Sequence, residues 1–355
     1  MRQKNYKIIG VMSGTSLDGV DLAYVNITSY PQYTYNFIAT ATIPYTSHWQ
    51  ELLRDAIHLD AKKRAALDET YSTYLATVIR DFIKQHNITQ LDAICSHGHT
   101  VLHQPHNGIT VQIGNLPKLA QELNTTIVCD FRVQDVALGG QGAPLVPIGD
   151  QLFFSQYDYC LNLGGFANCS FENNQNTRIA YDICPANIVL NKYAQQLGKA
   201  YDDEGAFAKA GTVNTPLLKQ LNAISYYNQP PPKSLGLEWV VEHIFPSIEK
   251  TNLNTEDILA TFTEHIAIQL AQQFKEDAKV LITGGGAYNT FLLDRVKTHT
   301  TAQFYVPDKQ LVEFKEALVF GLLGVLKLQE IPNVLSSVTG ARQDHCSGKI
   351  YHSTV

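Results

Sequence analysis

The sequence predicts an α/β protein of two domains with a central cleft. Strand and helix patterns alternate along the chain, glycine-rich tips interrupt them, and a strand–tip–strand pattern occurs twice, about 150 residues apart. The 355 residues are enough for two domains that each bury a core. The repeat predicts a duplicated core of strand hairpins and helices, with a ligand held between the halves.

The first strand–tip–strand pattern covers residues 7–25. Its tip contains a run of small, polar and acidic residues, Gly14, Thr15, Ser16, Leu17, Asp18 and Gly19, followed by Val20 and Asp21. Glycines permit unusual backbone angles, and such a tip can direct several N–H and hydroxyl groups at an anion. The two carboxylates suit a phosphate bridged by a metal ion. An ordinary glycine-containing hairpin explains this segment equally well.

The remaining elements follow from hydrophobic periodicity. Strands are predicted over residues 36–42, 91–96, 111–114, 126–130, 178–182 and 279–283, and helices over 62–86, 116–123, 257–274 and 313–326, with two more that end near 197 and begin near 290. Residues 131–149 form a loop rich in glycine and proline, which is typical of functional loops and domain junctions. We therefore expect an N-terminal lobe of residues 1–133 plus about 330–355, and a C-terminal lobe of residues 134–329.

Three further segments of the C-terminal lobe carry candidate site residues. Residues 157–171 repeat the opening pattern, with Gly164 and Gly165 at the tip and Asn168 after it. A strand then leads into Gly284, Gly285 and Gly286, an arrangement that lets a nucleotide approach the backbone, although neither G-x-G-x-x-G nor a Walker A sequence is present. Asp182 ends a strand close to a helix start, where a carboxylate serves as a base or, more commonly, caps the helix.

Composition narrows the class of protein. A formal charge of −6 disfavours a nucleic-acid binder, which usually has a basic face. The six cysteines form no C-x-x-C pair and several lie in apolar runs, so we expect reduced, buried thiols in a cytoplasmic protein and no zinc site. The N-terminus shows no signal-peptide pattern, and the longest apolar stretch is too short to span a bilayer.

The assembled motifs resemble those of one family, the anhydro-N-acetylmuramic acid kinases of the hexokinase–actin ATPase superfamily. They occur in the expected order over almost the whole chain: G-V-M-S-G-T-S-L-D-G-V-D at residues 10–21, S-H-G-H-T at 96–100, Q-I-G-N at 112–115, F-R-V-Q-D-V-A-L-G-G-Q-G-A-P-L at 131–145, N-L-G-G-F-A-N at 162–168, P-P-K-S at 231–234, T-G-G-G-A-Y-N at 283–289, E-A at 316–317 and T-G-A at 339–341. Each motif is weak alone, whereas the ordered set is specific.

The resemblance implies a hexokinase–actin-like fold and an ATP-dependent reaction on 1,6-anhydro-N-acetylmuramic acid, a product of cell-wall turnover. Water opens the anhydro bridge at the anomeric carbon, and the freed oxygen on carbon six takes the γ-phosphoryl group, giving N-acetylmuramic acid 6-phosphate in peptidoglycan recycling. The implied cofactors are ATP and Mg²⁺. The implied partners are the small amino sugar and ATP, with no nucleic acid or membrane, and a homodimer is the expected assembly.

The resemblance also assigns roles to residues. It makes Asp182 the base for water, residues 14–21 the cradle for the β- and γ-phosphates, and Asp18 the residue near magnesium. Gly164, Gly165 and Asn168 become the opposing phosphate hairpin, and Gly284–Gly286 the nucleoside platform. The residues expected to bind the sugar are His97, Arg132 and Glu316. The structural alternatives are a loop histidine at 97, an Arg132–Asp135 ion pair, and a surface charge at 316.

Two departures from the family pattern keep other functions open. The chain has His99 where S-H-G-Q-T is usual, and Ile183 and Cys184 where Thr and Gly usually follow the aspartate. One alternative is a hexose or amino-sugar kinase of the same fold without bridge hydrolysis. Another is a catalytically degenerate protein that binds nucleotide or sugar. A sugar-responsive repressor is disfavoured, because the chain starts at its first strand and is acidic.

Overall fold

Strands and helices alternate along the chain, as the periodicity predicts. The structure is a computed structural model that describes residues 3–14 and 16–353. Within those residues the strands are β1 Asn5–Ser13, β2 Gly19–Thr28, β3 Thr34–Pro44, β4 Ala93–Gln104, β5 Ile109–Ile113, β6 Ile127–Cys129, β7 Tyr159–Leu163, β8 Phe166–Glu172, β9 Arg178–Pro185, β10 Lys279–Thr283, β11 Gln303–Tyr305 and β12 Lys349–Tyr351.

The helices of the same described residues alternate with these strands. They are α1 Ser47–Asp55, α2 Ala61–Gln85, α3 Lys118–Leu123, α4 Val133–Ala137, α5 Pro147–Phe153, α6 Asn187–Gln196, α7 Ala206–Ala210, α8 Thr215–Asn222, α9 Leu237–His243, α10 Phe245–Glu249, α11 Thr255–Ala271, α12 Thr290–Lys297, α13 Lys309–Leu328 and α14 Ser336–Thr339. None of them is long and apolar enough to cross a membrane. Two departures from the predicted elements matter for the site. β4 continues through residues 96–100, and α13 begins at Lys309, so that Glu316 lies in the middle of the helix and not in its first turn.

The chain divides into two compact units, one of Met1–Phe153 with Phe314–Val355 and one of Phe154–Glu313. The first junction lies later, and the second earlier, than the expected boundaries at 133/134 and 329/330. The packing of α5 on α13 gives the reason. Lys315 and Asp150 form a buried ion pair at 2.7 Å, and a Cβ on Gly149 would lie 2.4 Å from a methyl carbon of Val319. These contacts keep residues 147–153 and the α13 segment from Phe314 in the first unit.

The two sheets repeat one topology. In the first unit the order is β12-β6-β4-β1-β2-β3, with β5 on β4; in the second it is β11-β10-β7-β8-β9. Each begins with an antiparallel meander, β1–β2–β3 or β7–β8–β9, and continues from its first strand with two parallel strands. The expected α/β fold with a duplicated hairpin and helix core is confirmed.

Helices cover both faces of the first sheet. In the first unit Ile9, Val11 and Ile94 join residues of α2 in one core cluster, and α13 packs on the other face. A Cβ on Gly10 of β1 would lie 1.8 Å from the carbonyl oxygen of Ala317, so only glycine admits the helix at this distance. The contact fixes the position of the neighbouring Glu316 relative to the sheet.

Candidate active site

The opening tip of the first unit joins β1 to β2. Thr15 lies outside the described residues. Leu17 adopts a positive φ of 61°, and its N–H donates to the Gly14 carbonyl at 3.3 Å, which closes the turn. Ser16 and Asp18 are exposed, and the Asp18 carboxylate has no hydrogen-bond partner among the described residues. The tip therefore presents a hydroxyl and a carboxylate to solvent.

The other residues expected at this tip are more confined. Gly19 begins β2, where a Cβ would lie 2.4 Å from the Ile43 carbonyl oxygen. Val20 is fully buried in the core, so its side chain is not available to a ligand. Asp21 accepts a hydrogen bond from Thr42 and raises the pKa of Glu316 through its charge. Asp21 thus belongs to the neighbourhood of Glu316.

Arg132 and His97 form one unit of hydrogen bonds. The Arg132 Nε–H donates to His97 Nε2 at 2.9 Å, and Nη1 donates to the Gly142 carbonyl. His97 Nδ1 donates to the Gly98 carbonyl at 2.8 Å, so both ring nitrogens are engaged. Burial and the Arg132 charge hold the pKa of His97 well below its usual value, which keeps the ring neutral. His97 thereby orients Arg132, while Arg132 Nη2 has no acceptor within the described residues.

Asp135 does not neutralise Arg132 by direct contact, in contrast to the structural alternative raised from the sequence. Its carboxylate accepts from the Gly142 N–H at 2.6 Å and from the Thr339 hydroxyl at 2.7 Å. Burial lowers the pKa of Arg132 to about 10, and the charges of Glu316 and Asp135 oppose that shift. Arg132 therefore remains cationic at neutral pH, with donors to spare for an anionic group.

Glu316 is exposed on α13. Although the side chain reaches solvent, the surrounding protein limits its hydration and raises its pKa, and the Asp21 charge adds to this, whereas the charges of Arg132 and Lys315 lower it. The charges of Arg132 and Asp21 thus both act on Glu316. Arg132, Glu316 and Asp21 form a charged group in the first unit, and the neutral His97 is hydrogen-bonded to Arg132.

The second unit holds a row of polar residues across four strands. Strand register pairs Thr283 of β10 with Asn162 of β7, Asn162 with Asn168 of β8, and Asn168 with Asp182 of β9. Directly paired residues share a face of a sheet, and their neighbours Leu161, Leu163, Ala167 and Ile183 face the core. The sequence predicted Asn168 and Asp182 but missed Asn162 and Thr283, whose membership depends on strand register.

Asp182 lies within β9, so it is not a helix cap; α6 begins at Asn187. One carboxylate oxygen, Oδ2, accepts the Leu235 N–H at 2.8 Å. Burial raises the pKa of Asp182 to about 6, and this hydrogen bond acts in the opposite direction. A carboxylate with one oxygen held and a pKa near neutrality is suited to accept a proton at the other oxygen.

Residues 226–235 hold the backbone of Asp182 on both sides. The Tyr226 hydroxyl donates to the Asp182 carbonyl at 2.7 Å, and the Asp182 N–H donates to the Lys233 carbonyl at 3.1 Å. Lys233 Nζ donates in turn to the carbonyls of Tyr226 and Tyr227 at 3.2 and 3.4 Å. Lys233 is therefore committed to the support of Asp182. No sequence signal singled out Tyr226 or Leu235.

The second hairpin tip directs its carbonyls inward. The Gly165 carbonyl accepts from the Ala186 and Ile188 N–H groups at 2.8 and 3.1 Å, and the Gly164 carbonyl accepts from Asn187 at 3.2 Å. These bonds satisfy the first N–H groups of α6. The N–H groups of Gly164 and Gly165 donate to no acceptor in the described part of the chain. An anion at this tip would therefore meet hairpin N–H groups rather than the helix terminus.

The three glycines after β10 differ from one another. A Cβ on Gly284, whose φ is 83°, would lie 2.5 Å from Asn162 Oδ1, and one on Gly286 would lie 2.7 Å from the Leu163 Cβ. A Cβ on Gly285 would have no atom of the described residues within 4 Å apart from those of Gly285 and its two chain neighbours. Gly284 and Gly286 are thus required for packing against β7, whereas Gly285 leaves open space beside the backbone.

Comparison with known proteins identifies the family to which this chain belongs. The family model described as anhydro-N-acetylmuramic acid kinase matches residues 6–353. The chain belongs to this family. It is 34% identical to the anhydro-N-acetylmuramic acid kinase of Pseudomonas syringae pv. syringae (strain B728a), over 97% of this chain and 98% of that protein. It is 33% identical to the one from Vibrio vulnificus (strain CMCP6), over 97% of each.

A solved structure similar to this one is the activator of the 2-hydroxyisocaproyl-CoA dehydratase from Clostridium difficile with bound ADPNP. The TM-score is 0.44 at 12% sequence identity, over 91% of this chain and 97% of that chain.

Ile183 and Cys184, which stand where Thr and Gly usually follow the aspartate in the family pattern, are core residues. Ile183 and Cys184 are 2% and 0% exposed and belong to the core cluster of the second unit. Burial and the Asp182 charge raise the pKa of the Cys184 thiol, which keeps it protonated. The two side chains therefore pack in the core of the second unit.

The glycine geometry gives a first prediction. Gly285→Ala should weaken Mg·ADP binding several-fold with an unchanged melting temperature, because the new methyl group fills only the open space beside the backbone. Gly286→Ala should instead destabilise the fold by about 1–3 kcal/mol through its clash with Leu163. Calorimetric titration and thermal melting of both variants check this. Full nucleotide affinity in Gly285→Ala would exclude a nucleoside platform at this turn.

Proposed function

We propose that the chain phosphorylates 1,6-anhydro-N-acetylmuramic acid with ATP and opens its anhydro bridge with water, giving N-acetylmuramic acid 6-phosphate. Family membership supports the substrate and the use of ATP. The observation that carries the proposal is Asp182, whose Oδ2 is fixed by Leu235 and whose pKa of about 6 suits a base.

In the proposed reaction Asp182 takes one proton from water, and the water oxygen bonds to the anomeric carbon of the sugar. The bond from that carbon to the oxygen of carbon six breaks. This freed oxygen bonds to the γ-phosphorus, whose bond to the bridging oxygen breaks, so that ADP leaves with that electron pair. Each step needs fixed reactants in line more than covalent help from the protein.

The proposed phosphate contacts come from both tips. The Gly14–Asp21 segment, through its hydroxyl groups, and the Gly164–Gly165 hairpin, through its N–H groups, would bind the phosphates, and Asn168 adds an amide beside Asp182. Gly285 gives the nucleotide access to the backbone. These groups stabilise charge that moves from the γ-phosphoryl oxygens to ADP.

Mg²⁺ fits this arrangement through Asp18, which is exposed and without a hydrogen-bond partner among the described residues. The described residues contain no group of three or more metal-binding side chains. Mg²⁺ bound to nucleotides commonly uses one or two carboxylates with phosphates and waters, so one aspartate suffices. When bound, the ion would neutralise phosphate charge.

Arg132 is the proposed partner of the lactyl carboxylate of the sugar. Its Nη1 and Nη2 can donate as a pair to a carboxylate while Nε stays on His97. His97 acts by holding Arg132, and the exposed Glu316 faces the same cluster as an acceptor for sugar hydroxyls.

Sugar-dependent ADP release tests the proposal. ADP release in the presence of Mg²⁺ should require 1,6-anhydro-N-acetylmuramic acid and should be much slower with N-acetylmuramic acid, N-acetylglucosamine or glucose. Equal release with the free sugars would indicate an ordinary amino-sugar kinase. Absence of release with every sugar, in a protein that binds Mg·ADP, would indicate a degenerate binding protein.

The pH dependence of kcat/KM for the sugar gives a second prediction. Because only the ionised form of Asp182 accepts a proton, kcat/KM should be constant well above pH 6 and fall tenfold per pH unit well below it. Steady-state kinetics at saturating ATP and varied sugar concentration between pH 5 and pH 9 check this. A kcat/KM that stays constant down to pH 5 would contradict a base with the pKa of Asp182.

A further inference from the structure

The two histidines of S-H-G-H-T lie on opposite faces of β4. Side chains two residues apart in a regular strand share a face, but the β1–β4 register shifts between Val11↔Ser96 and Ser13↔His99. Gly98 has a φ of 71° at this shift. His97 accordingly packs on Phe320 of α13, and His99 packs near Tyr71 of α2, with ring centroids 4.8 and 6.1 Å apart. The shift frees His99 for a task separate from that of Arg132.

His99 ends a buried chain of hydrogen bonds. The Tyr71 and Tyr45 hydroxyls are 2.6 Å apart, Tyr45 and Ser13 are 2.7 Å apart, and Ser13 Oγ lies 2.8 Å from His99 Nδ1. All four side chains are less than 9% exposed. We call these four residues the tip clamp.

The number of available protons indicates which group donates in each of these hydrogen bonds. Three hydrogen bonds need three protons, and the three hydroxyls supply them if Tyr71 donates to Tyr45, Tyr45 to Ser13, and Ser13 to His99 Nδ1. Burial lowers the pKa of His99 to about 4, so the ring is neutral and can accept at Nδ1. In this direction His99 Nδ1 is the acceptor at which the hydrogen bonds end.

Tyr45 holds both ends of the opening tip. Its hydroxyl contacts Ser13, the last residue of β1, and its N–H donates to the Asp18 carbonyl at 3.2 Å. A further bond from Gln50 Nε2 to the Leu17 carbonyl, at 3.2 Å, secures the middle of the tip. Tyr45 thus connects the buried hydrogen bonds of the tip clamp to the solvent-facing residues of the tip.

We propose that His99 is a positioning residue that, through the tip clamp, holds Gly14 and residues 16–18 of the opening tip in the conformation that binds nucleotide phosphates. The inference rests on the proposed phosphate-binding role of that tip. A glutamine, usual in the family at position 99, also carries an acceptor oxygen and would support the same row of hydrogen bonds. His99 in place of the usual glutamine is then a replacement of one hydrogen-bond acceptor by another.

Nucleotide affinity tests the tip clamp independently of the sugar. His99→Leu and Tyr45→Phe should each weaken Mg·ADP binding about tenfold in calorimetric titration, the equivalent of one lost hydrogen bond. His99→Gln should bind within about twofold of wild type, since it retains the acceptor. Thermal melting identifies the folded variants, and if His99→Leu does not fold, Tyr45→Phe decides.

Unchanged affinity in folded His99→Leu or Tyr45→Phe would overturn the inference. An equal loss in folded His99→Gln would also overturn it, because the role would then belong to the imidazole itself. Failure of the proposed function gives a different result, since wild type would bind Mg·ADP without sugar-dependent release.

Discussion

Asp182→Asn should lower kcat by a factor of about 10²–10⁴, the usual contribution of a positioned base. The variant keeps the shape of the side chain, and its amide can still accept the Leu235 N–H, but it cannot take a proton from water. Because Asp182 itself is not among the proposed phosphate contacts and the variant keeps the size of the side chain beside Asn168, the affinity for Mg·ADP should remain within a few-fold. Steady-state kinetics and calorimetric titration measure both quantities.

Asp277→Asn is the matched control for this variant. Asp277 is an exposed carboxylate of the same unit with a φ of 55°, which asparagine tolerates well. It should retain wild-type kcat. If Asp182→Asn keeps more than about a tenth of wild-type kcat, the assignment of the base is wrong.

Arg132→Ala should raise the KM for the anhydro sugar by about 10- to 150-fold, the equivalent of charged hydrogen bonds worth about 1.5–3 kcal/mol. The KM for ATP should change much less. Arg132→Lys should recover only part of the loss, since an ammonium group cannot donate as a planar pair while also reaching His97. Arg80→Lys, a half-exposed arginine of the same unit, should behave as wild type.

A second substrate makes the Arg132 prediction specific. 1,6-Anhydro-N-acetylglucosamine lacks the lactyl carboxylate, so the substitution of Arg132 should change its KM little. An equal effect on both sugars would show that Arg132 supports the fold of the site and does not recognise the carboxylate.

The sequence was sufficient to predict those elements whose structure depends only on residues close together in the chain. The alternation around the two tips predicted β1–β2 and β7–β8, and helical spacing predicted α2 within one residue at each end. The glycines and polar residues of those tips could be identified because turns depend on nearby residues.

Features that depend on strand register could not be predicted from the sequence. The row from Thr283 to Asp182 exists only because four strands pair in one register. The shift at Gly98, which separates His97 from His99, is likewise visible only against β1. The difference between Gly285 and its two neighbours depends on the packing of β7. Each feature involves residues far apart in the chain.

The mass of the sugar product distinguishes bridge opening by water from phosphoryl transfer alone. After incubation with ATP, Mg²⁺ and 1,6-anhydro-N-acetylmuramic acid, we expect a product heavier than the substrate by one phosphoryl group and one water, because the bridge has opened. A product heavier by the phosphoryl group alone, with the bridge intact, would contradict Asp182 as the base that activates water.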